Sequence, residues 1–231
     1  QAAALLASNP AGEPSLIVAP TSVVANWQAE LARFVPSLRV LVLHEPKRDL
    51  AAISRHDVVI TSYATARLDL AAHRAITYHT VLLDEAQAIK NARSQTARAM
   101  RRLNARHRLC LTGTPVENDV QDLWSLFAFL MPGLLGSVDD FRNRYATPIA
   151  LGERAPREAL KARVAPFILR RLKSQVARDL PPRTDVTLTC ELEPAQRRAY
   201  DAMLSDVRAG IQRKIRDDGL EASRLSILAA L

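Results

Sequence analysis

Along this chain, runs of consecutive apolar residues alternate with stretches in which apolar residues return every three or four positions. The runs Leu16 to Ala19, Arg39 to Leu43, Asp57 to Ile60, Thr80 to Leu83 and Arg108 to Leu111 predict five strands. Unbroken apolar runs, unlike alternating ones, predict strands covered on both faces, the condition of a parallel sheet. Val23 to Phe34 predicts an amphipathic helix with Val24, Trp27, Leu31 and Phe34 turned inward, and Gln1 to Ala7 a shorter helix stopping at Ser8-Asn9-Pro10. Strands parted by helical stretches of this length imply right-handed crossovers and an α/β fold. Past Asn118 the pattern turns helical: Val120 to Met131, ended by Pro132-Gly133, then Phe141 to Tyr145 and Ala159 to Lys173 after a polar loop from Gly152 to Arg157. Pro181-Pro182 stops that run. Asp185 to Leu192 alternates, with Val186, Leu188, Cys190 and Leu192 on one face, and predicts a strand; a long amphipathic helix starts near Pro194. The expected parts are therefore an α/β segment (1–119), a helical segment (120–180) and a third beginning (181–231).

Polar, turn-forming residues gather at the carboxyl ends of these strands: Pro20-Thr21, Thr61-Ser62, Asp84-Glu85 and Thr112-Gly113-Thr114. Ligand sites of parallel sheets lie beyond that edge. The most pointed of the four is Val81-Leu82-Leu83-Asp84-Glu85, an apolar strand ending in two adjacent carboxylates. Magnesium that arrives with a nucleotide needs only one or two protein carboxylates, since phosphates and waters fill its other positions. Asp84 suits that role, and Glu85 suits polarising the water that attacks a γ-phosphate. Taken alone, the same pair serves equally well to start a surface loop or to cap the next helix.

Composition narrows the picture. Of 231 residues, 48% are hydrophobic and 24% charged, which fits a globular chain and not a disordered one. The formal net charge of +8 favours a polyanionic partner, because neutralised phosphates release counterions, although it also serves solubility. No apolar run is long enough to cross a bilayer, and the first residues lack the plan of a signal peptide, so no membrane is expected. The two cysteines, Cys110 and Cys190, both fall in strand-like segments and are expected as buried, reduced thiols. Five histidines show no metal-ligand spacing, and no zinc is assigned. With only 7 glycines the chain carries no Gly-x-x-x-x-Gly-Lys-Ser/Thr loop.

Asp84-Glu85-Ala86-Gln87 with Ile89-Lys90-Asn91, then Leu111-Thr112-Gly113-Thr114-Pro115-Val116-Glu117-Asn118, resembles motifs II and III of the Swi/Snf-type ATPases, the duplex-DNA translocases of helicase superfamily two. Leu16 to Trp27 resembles their motif Ia and Asp57 to Tyr63 their motif Ib. Leu123 to Phe127, Phe167 to Lys173, and Leu180-Pro181-Pro182 leading to Gln196 and Tyr200 resemble further signatures in family order. The resemblance implies a RecA-like parallel sheet of the P-loop NTPase type, flanked by helices, followed by a mainly helical protrusion and the start of a second lobe. It implies that the phosphate-binding loop lies just before Gln1 and the arginine finger beyond Leu231, so the fragment alone is expected to be inactive. Gln87 stands where many members have His.

The resemblance also implies roles. The cofactors are ATP and Mg2+, with Asp84 holding the metal through water and Glu85 orienting and deprotonating the attacking water. Gln87 couples the nucleotide to motif III, where Thr112, Gly113 and Thr114 link hydrolysis to lobe movement. Pro20, Thr21 and Asn26, with Thr61, Ser62 and Tyr63, meet the backbone of double-stranded DNA without reading its sequence; Trp27 is assigned to the core in preference to contact. Arg170, Arg171, Lys173 and Arg178 form either a phosphate-facing stripe or a solvated helix face. The expected protein is an ATP-dependent DNA translocase that displaces a DNA-bound complex such as RNA polymerase. Two other readings remain: an RNA helicase of the same superfamily, which the helical stretch after Asn118 opposes, and an inert binding scaffold without a phosphate loop. An Ala-, Arg- and Leu-heavy composition fits a GC-rich bacterium, hence a cytoplasmic, nucleoid-associated protein, with a nuclear one as the eukaryotic alternative.

Overall fold

The computed structural model describes residues 1–9, 12–44, 48–113, 120–171, 184 and 186–222. Two compact units divide the chain, 1–169 and 170–231. The first is built on β1 (Ser15–Ala19), β2 (Val40–Leu43), β3 (Val58–Ser62), β4 (Thr77–Leu83) and β5 (Asn104–Cys110), all parallel, in the order β2-β3-β1-β4-β5. Every residue of β1 and β3 is buried, as their unbroken apolar runs require. The register aligns the strand ends: Ala19 lies opposite Ser62, Val18 opposite Leu83, and Leu83 opposite Cys110. The ladder runs one step past the strands, with the Asp84 N–H donating to the Val18 carbonyl at 2.8 Å and the Leu111 N–H to the Leu83 carbonyl at 2.8 Å. The four polar strand ends thus share one rim.

Alternate side chains of each strand point to opposite faces, and each face is covered. On one, Ile17, Ala19, Val58, Ile60 and Leu82 pack against Leu6 of α1 (Ala2–Ala7) and Val24 and Leu31 of α2 (Val24–Phe34). On the other, Leu16, Val18, Val59, Val81 and Leu83 meet α3 (Tyr63–Leu68), α5 (Gln95–Arg101) and α6 (Val120–Leu130) through Ala66, Met100 and Phe129. The short α4 (Leu70–Arg74) places His73 under Tyr78 of β4, whose hydroxyl lies 2.6 Å from its Nδ1. Burial pushes the His73 imidazole below its usual pKa and so keeps it neutral. Ser94 caps α5, its hydroxyl oxygen accepting the Ala97 N–H at 3.1 Å. Ser94→Ala is expected to cost about 0.5–2 kcal/mol. A lower urea midpoint at unchanged slope would register it.

Helix α6 is buried on two sides. Leu126 and Phe129 belong to the sheet core, while Leu123 and Phe127 join Leu135, Phe141, Tyr145, Leu160 and Val164 in a separate helical core. The helical residues run further than the short segment expected around Phe141. Helix α7 (Val138–Phe141), opened by a Ser137–Asp140 capping box, passes into a π-helical turn at Arg142–Ala146 and then α8 (Thr147–Ala150).

Four expectations need correction. Helix α9 runs Arg154–Val164, taking in all of the expected polar loop but Gly152 and Glu153, and stops well before Lys173. Pro166, inside the following Ala165–Phe167 turn, has no N–H to continue the ladder. Phe34 is 60% exposed under the Arg33 guanidinium, 5.1 Å from its ring centre. Phe34 is the last residue of α2, past the buried Val24 and Leu31. The alternating stretch from Val186 to Leu192 forms no strand, and Leu188 is 85% exposed; no strand among the described residues pairs with it, and a lone strand has no partner for its N–H and C=O groups. Cys190 is consequently exposed, whereas burial pushes the Cys110 thiol up to about 12. Arg170 and Arg171 are exposed; Lys173, Arg178, Pro181 and Pro182 lie outside the described residues. The second unit's main element is the helix Pro194–Ala222. No described helix is long and apolar enough to cross a membrane.

Candidate nucleotide site

Asp84 stands one residue past β4, half-buried, and both of its carboxylate oxygens carry donors. The Trp27 indole N–H donates to Oδ2 at 2.7 Å and the Glu85 N–H to Oδ1 at 2.9 Å. The Asp84 main-chain carbonyl accepts the Tyr63 hydroxyl at 2.7 Å. Bonds to a carboxylate are stronger than neutral ones, contributing about 1.5–3 kcal/mol. Burial, with Cys110, Asp84 and Glu85 nearby, holds the Tyr63 phenol far above its ordinary pKa, so it remains a donor at any working pH.

Glu85 is the lone non-glycine residue with positive φ among the described residues, at φ 49 and ψ 55. A left-handed conformation costs an L-residue about 1–2 kcal/mol, and strain of this kind concentrates at functional sites. The twist lets the chain leave β4 and enter the Ala86–Ile89 turn while the Glu85 side chain stays exposed at the rim. Its Oε2 accepts from the Gln87 amide at 2.8 Å, and the Gln87 Oε1 accepts the Thr112 hydroxyl at 3.1 Å. Glu85, Gln87 and Thr112 form one hydrogen-bonded line from the end of β4 to the end of β5. Gly113 follows, exposed; Thr114 lies outside the described residues.

A cavity of about 640 Å³ opens beside this group, lined by Gln1, Ala3, Asn26, Trp27, Glu30 and Asp84 among others. That is an ordinary size for a small-ligand site. Asn26, expected at nucleic acid, therefore shares a cavity with Asp84. Thr21 is exposed in the Thr21–Val23 turn that opens α2, and Pro20 before it is half-buried.

Thr61 and Ser62 are both buried: the Thr61 hydroxyl donates to the Leu43 carbonyl at 2.9 Å, and the Ser62 oxygen caps α3 by accepting the Thr65 N–H at 3.2 Å. Tyr63 also turns inward, to the Asp84 carbonyl. Buried hydroxyl side chains at strand ends are held by main-chain partners of this kind.

Sequence reasoning missed two ties. Ser125, fully buried in α6, donates to the Ile89 carbonyl at 2.5 Å and fastens the helical core to the turn after Gln87. Arg108 of β5 donates to the Phe129 and Leu103 carbonyls, both at 2.8 Å, with its guanidinium 5.3 Å from the Phe129 ring. Neither has a local signature. A polar residue on an apolar helix face was the available hint for Ser125.

The residues fit a nucleotide-borne metal better than a resident one. Among the described residues no group of three His, Cys, Asp or Glu side chains could hold an ion alone. Asp84 keeps lone pairs free beyond its two donors, since an ionised carboxylate offers about four acceptor positions. One such carboxylate is enough when phosphates and waters complete the shell.

The family model for the SNF2-related domain matches residues 3–231. The chain belongs to the SNF2-related family. Among its SNF2-type relatives, it is 38% identical over 234 residues to the TATA-binding protein-associated factor MOT1 of Saccharomyces cerevisiae, covering 94% of this chain and 12% of that protein. It is 40% identical over 215 residues to the "Putative ATP-dependent helicase/translocase YwqA" of Bacillus subtilis, covering 87% of this chain and 23% of that protein. The Sulfolobus solfataricus SWI2/SNF2 ATPase core in complex with dsDNA superposes with a TM-score of 0.69 at 37% identity, over 94% of this chain and 47% of that one. The fold is thus that of a SWI2/SNF2 ATPase core, in an SNF2-related chain that spans less than a quarter of these curated relatives and less than half of the solved core.

Proposed function

We propose that the whole protein is an ATP-dependent translocase on double-stranded DNA, and that residues 1–119 form its first nucleotide-binding lobe, 120–180 a helical protrusion and 181–231 the entry to a second lobe. The observation that carries this is the single rim on which a braced Asp84, a strained and exposed Glu85, Gln87 and Thr112 stand in hydrogen-bonded sequence beside a cavity. Asp84 would hold Mg2+ through water, and the ion would neutralise charge on the phosphates of ATP. Glu85 orients the attacking water and accepts its proton. Gln87, which hydrogen-bonds but does not titrate, carries the position of Glu85 to Thr112. Thr112 and Gly113, with Thr114 next in sequence, would link hydrolysis to lobe movement.

On the nucleic-acid side, exposed Thr21 and the backbone at Pro20 meet phosphates, in keeping with a formal charge of +8. Asn26 contributes at the boundary with the cavity. Thr61, Ser62 and Tyr63 hold this edge in shape. A relative solved with dsDNA and relatives named as TATA-binding protein-associated factors support duplex DNA as the track and a DNA-bound protein, of which RNA polymerase is one candidate, as the thing displaced. The deciding experiment is ATP turnover of the full-length protein with duplex DNA, single-stranded DNA and RNA in turn. Duplex DNA should stimulate most, with little sequence preference and a steep fall as salt rises. Stronger stimulation by RNA would replace this reading with an RNA helicase; no stimulation and no turnover would leave a scaffold.

A further inference from the structure

Trp27 was assigned to the core by its helical spacing, yet its polar atom does something a core residue does not. Its indole N–H leaves α2, crosses from one strand end to another, and ends on Oδ2 of Asp84. The helix that carries it begins at the Thr21–Val23 turn, so five residues separate the exposed Thr21 from the donor on the carboxylate. Tyr63 makes the matching connection from the start of α3, to the main-chain carbonyl of the same residue. Asp84 is held on its side chain by one flanking element and on its backbone by another.

We propose that Trp27 is a positioning residue through which α2 sets the orientation of the Asp84 carboxylate, with Tyr63 as its backbone counterpart. This rests on the reading of Asp84 as the group that holds nucleotide-borne magnesium. Each carboxylate oxygen has one protein donor, from Trp27 or Glu85, which leaves acceptor positions on both oxygens for a hydrated ion. Groups that fix a metal ligand's orientation commonly matter about ten- to a hundredfold in metal affinity or activity when removed.

The test uses the full-length protein and three variants. Trp27→Phe keeps an aromatic ring and removes the N–H; its Mg2+ concentration for half-maximal binding of a fluorescent ATP analogue, and with it that for half-maximal ATP turnover, should rise about tenfold or more, with the KM for ATP at saturating Mg2+ little changed. An unchanged Mg2+ requirement in a folded Trp27→Phe protein overturns the proposal. Should that variant lose its far-UV circular dichroism, Tyr63→Phe, which removes one hydroxyl, carries the test: its Mg2+ requirement should rise as well, and an unchanged value overturns the proposal equally. Asp84→Asn runs alongside. If it raises the Mg2+ requirement while Trp27→Phe does not, the positioning role alone fails. If Asp84→Asn leaves the requirement unaltered, the reading of Asp84 fails and the positioning role fails with it.

Discussion

Glu85→Gln in the full-length protein is expected to abolish DNA-stimulated ATP hydrolysis while ATP binding persists. The substitution keeps the shape of the side chain, and its amide oxygen still accepts the Gln87 N–H that now reaches Oε2. What it removes is the negative charge and the ability to take a proton from water. Loss of a positioned general base lowers a rate about 10²- to 10⁴-fold, a barrier increase of roughly 3–5 kcal/mol at 1.36 kcal/mol per decade. The backbone at Glu85 strengthens the expectation. A position with φ 49 would suit glycine, yet a carboxylate stands there and remains exposed at the rim. Strain retained for a side chain that makes its contact with Gln87 argues that the side chain's placement matters more than local stability. Phosphate release with and without duplex DNA, beside binding of a fluorescent ATP analogue, reads both halves of the prediction. Turnover equal to that of the unaltered protein would remove Glu85 from the chemistry.

The sheet was legible because its signal is local and repeated. Runs such as Leu16 to Ala19 are apolar on both faces only where both faces are covered, and turn formers closed each run at the same rim. Strand β5 was read short, from Arg108, because Arg106 and His107 look like solvent-facing residues; they are exposed, and β5 keeps them by pairing one edge with β4. That the polar strand ends share one edge was legible as a group, but what each side chain touches was not visible. Thr61 and Ser62 have the chemistry of phosphate contacts, and only the three-dimensional fold shows the Leu43 carbonyl and the Thr65 N–H taking up that chemistry. Trp27 presented an apolar ring to helical periodicity, which carries no information about an indole N–H 57 positions away from its acceptor. Beyond residue 150, spacing alone failed because a proline at 166 overrode an apolar pattern that continued past it.

The second large effect is expected in the core. Phe129→Ala should lower the stability of the chain by about 3–5 kcal/mol, against an ordinary domain total of about 5–15 kcal/mol. The ring is fully buried between α6 and β5, and its loss leaves a space that neighbours such as Leu126 and Met100 fill only in part. It also uncovers the Arg108 guanidinium, whose pKa is already lowered by burial and whose stacking on the ring contributes about 0.5–2 kcal/mol. The Arg108 bond to the Phe129 carbonyl survives the substitution, so the loss reports packing and not hydrogen bonding. Leu151→Ala is the control: at 77% exposure it should stay within about 0.5 kcal/mol of the parent. Urea denaturation followed by circular dichroism compares the two, with the midpoint moving and the slope held. Because α6 is tied to the turn after Gln87 through Ser125, a loosened α6 should also cost turnover before the chain unfolds. Equal midpoints for the two variants would show that α6 is not what joins the helical core to the sheet.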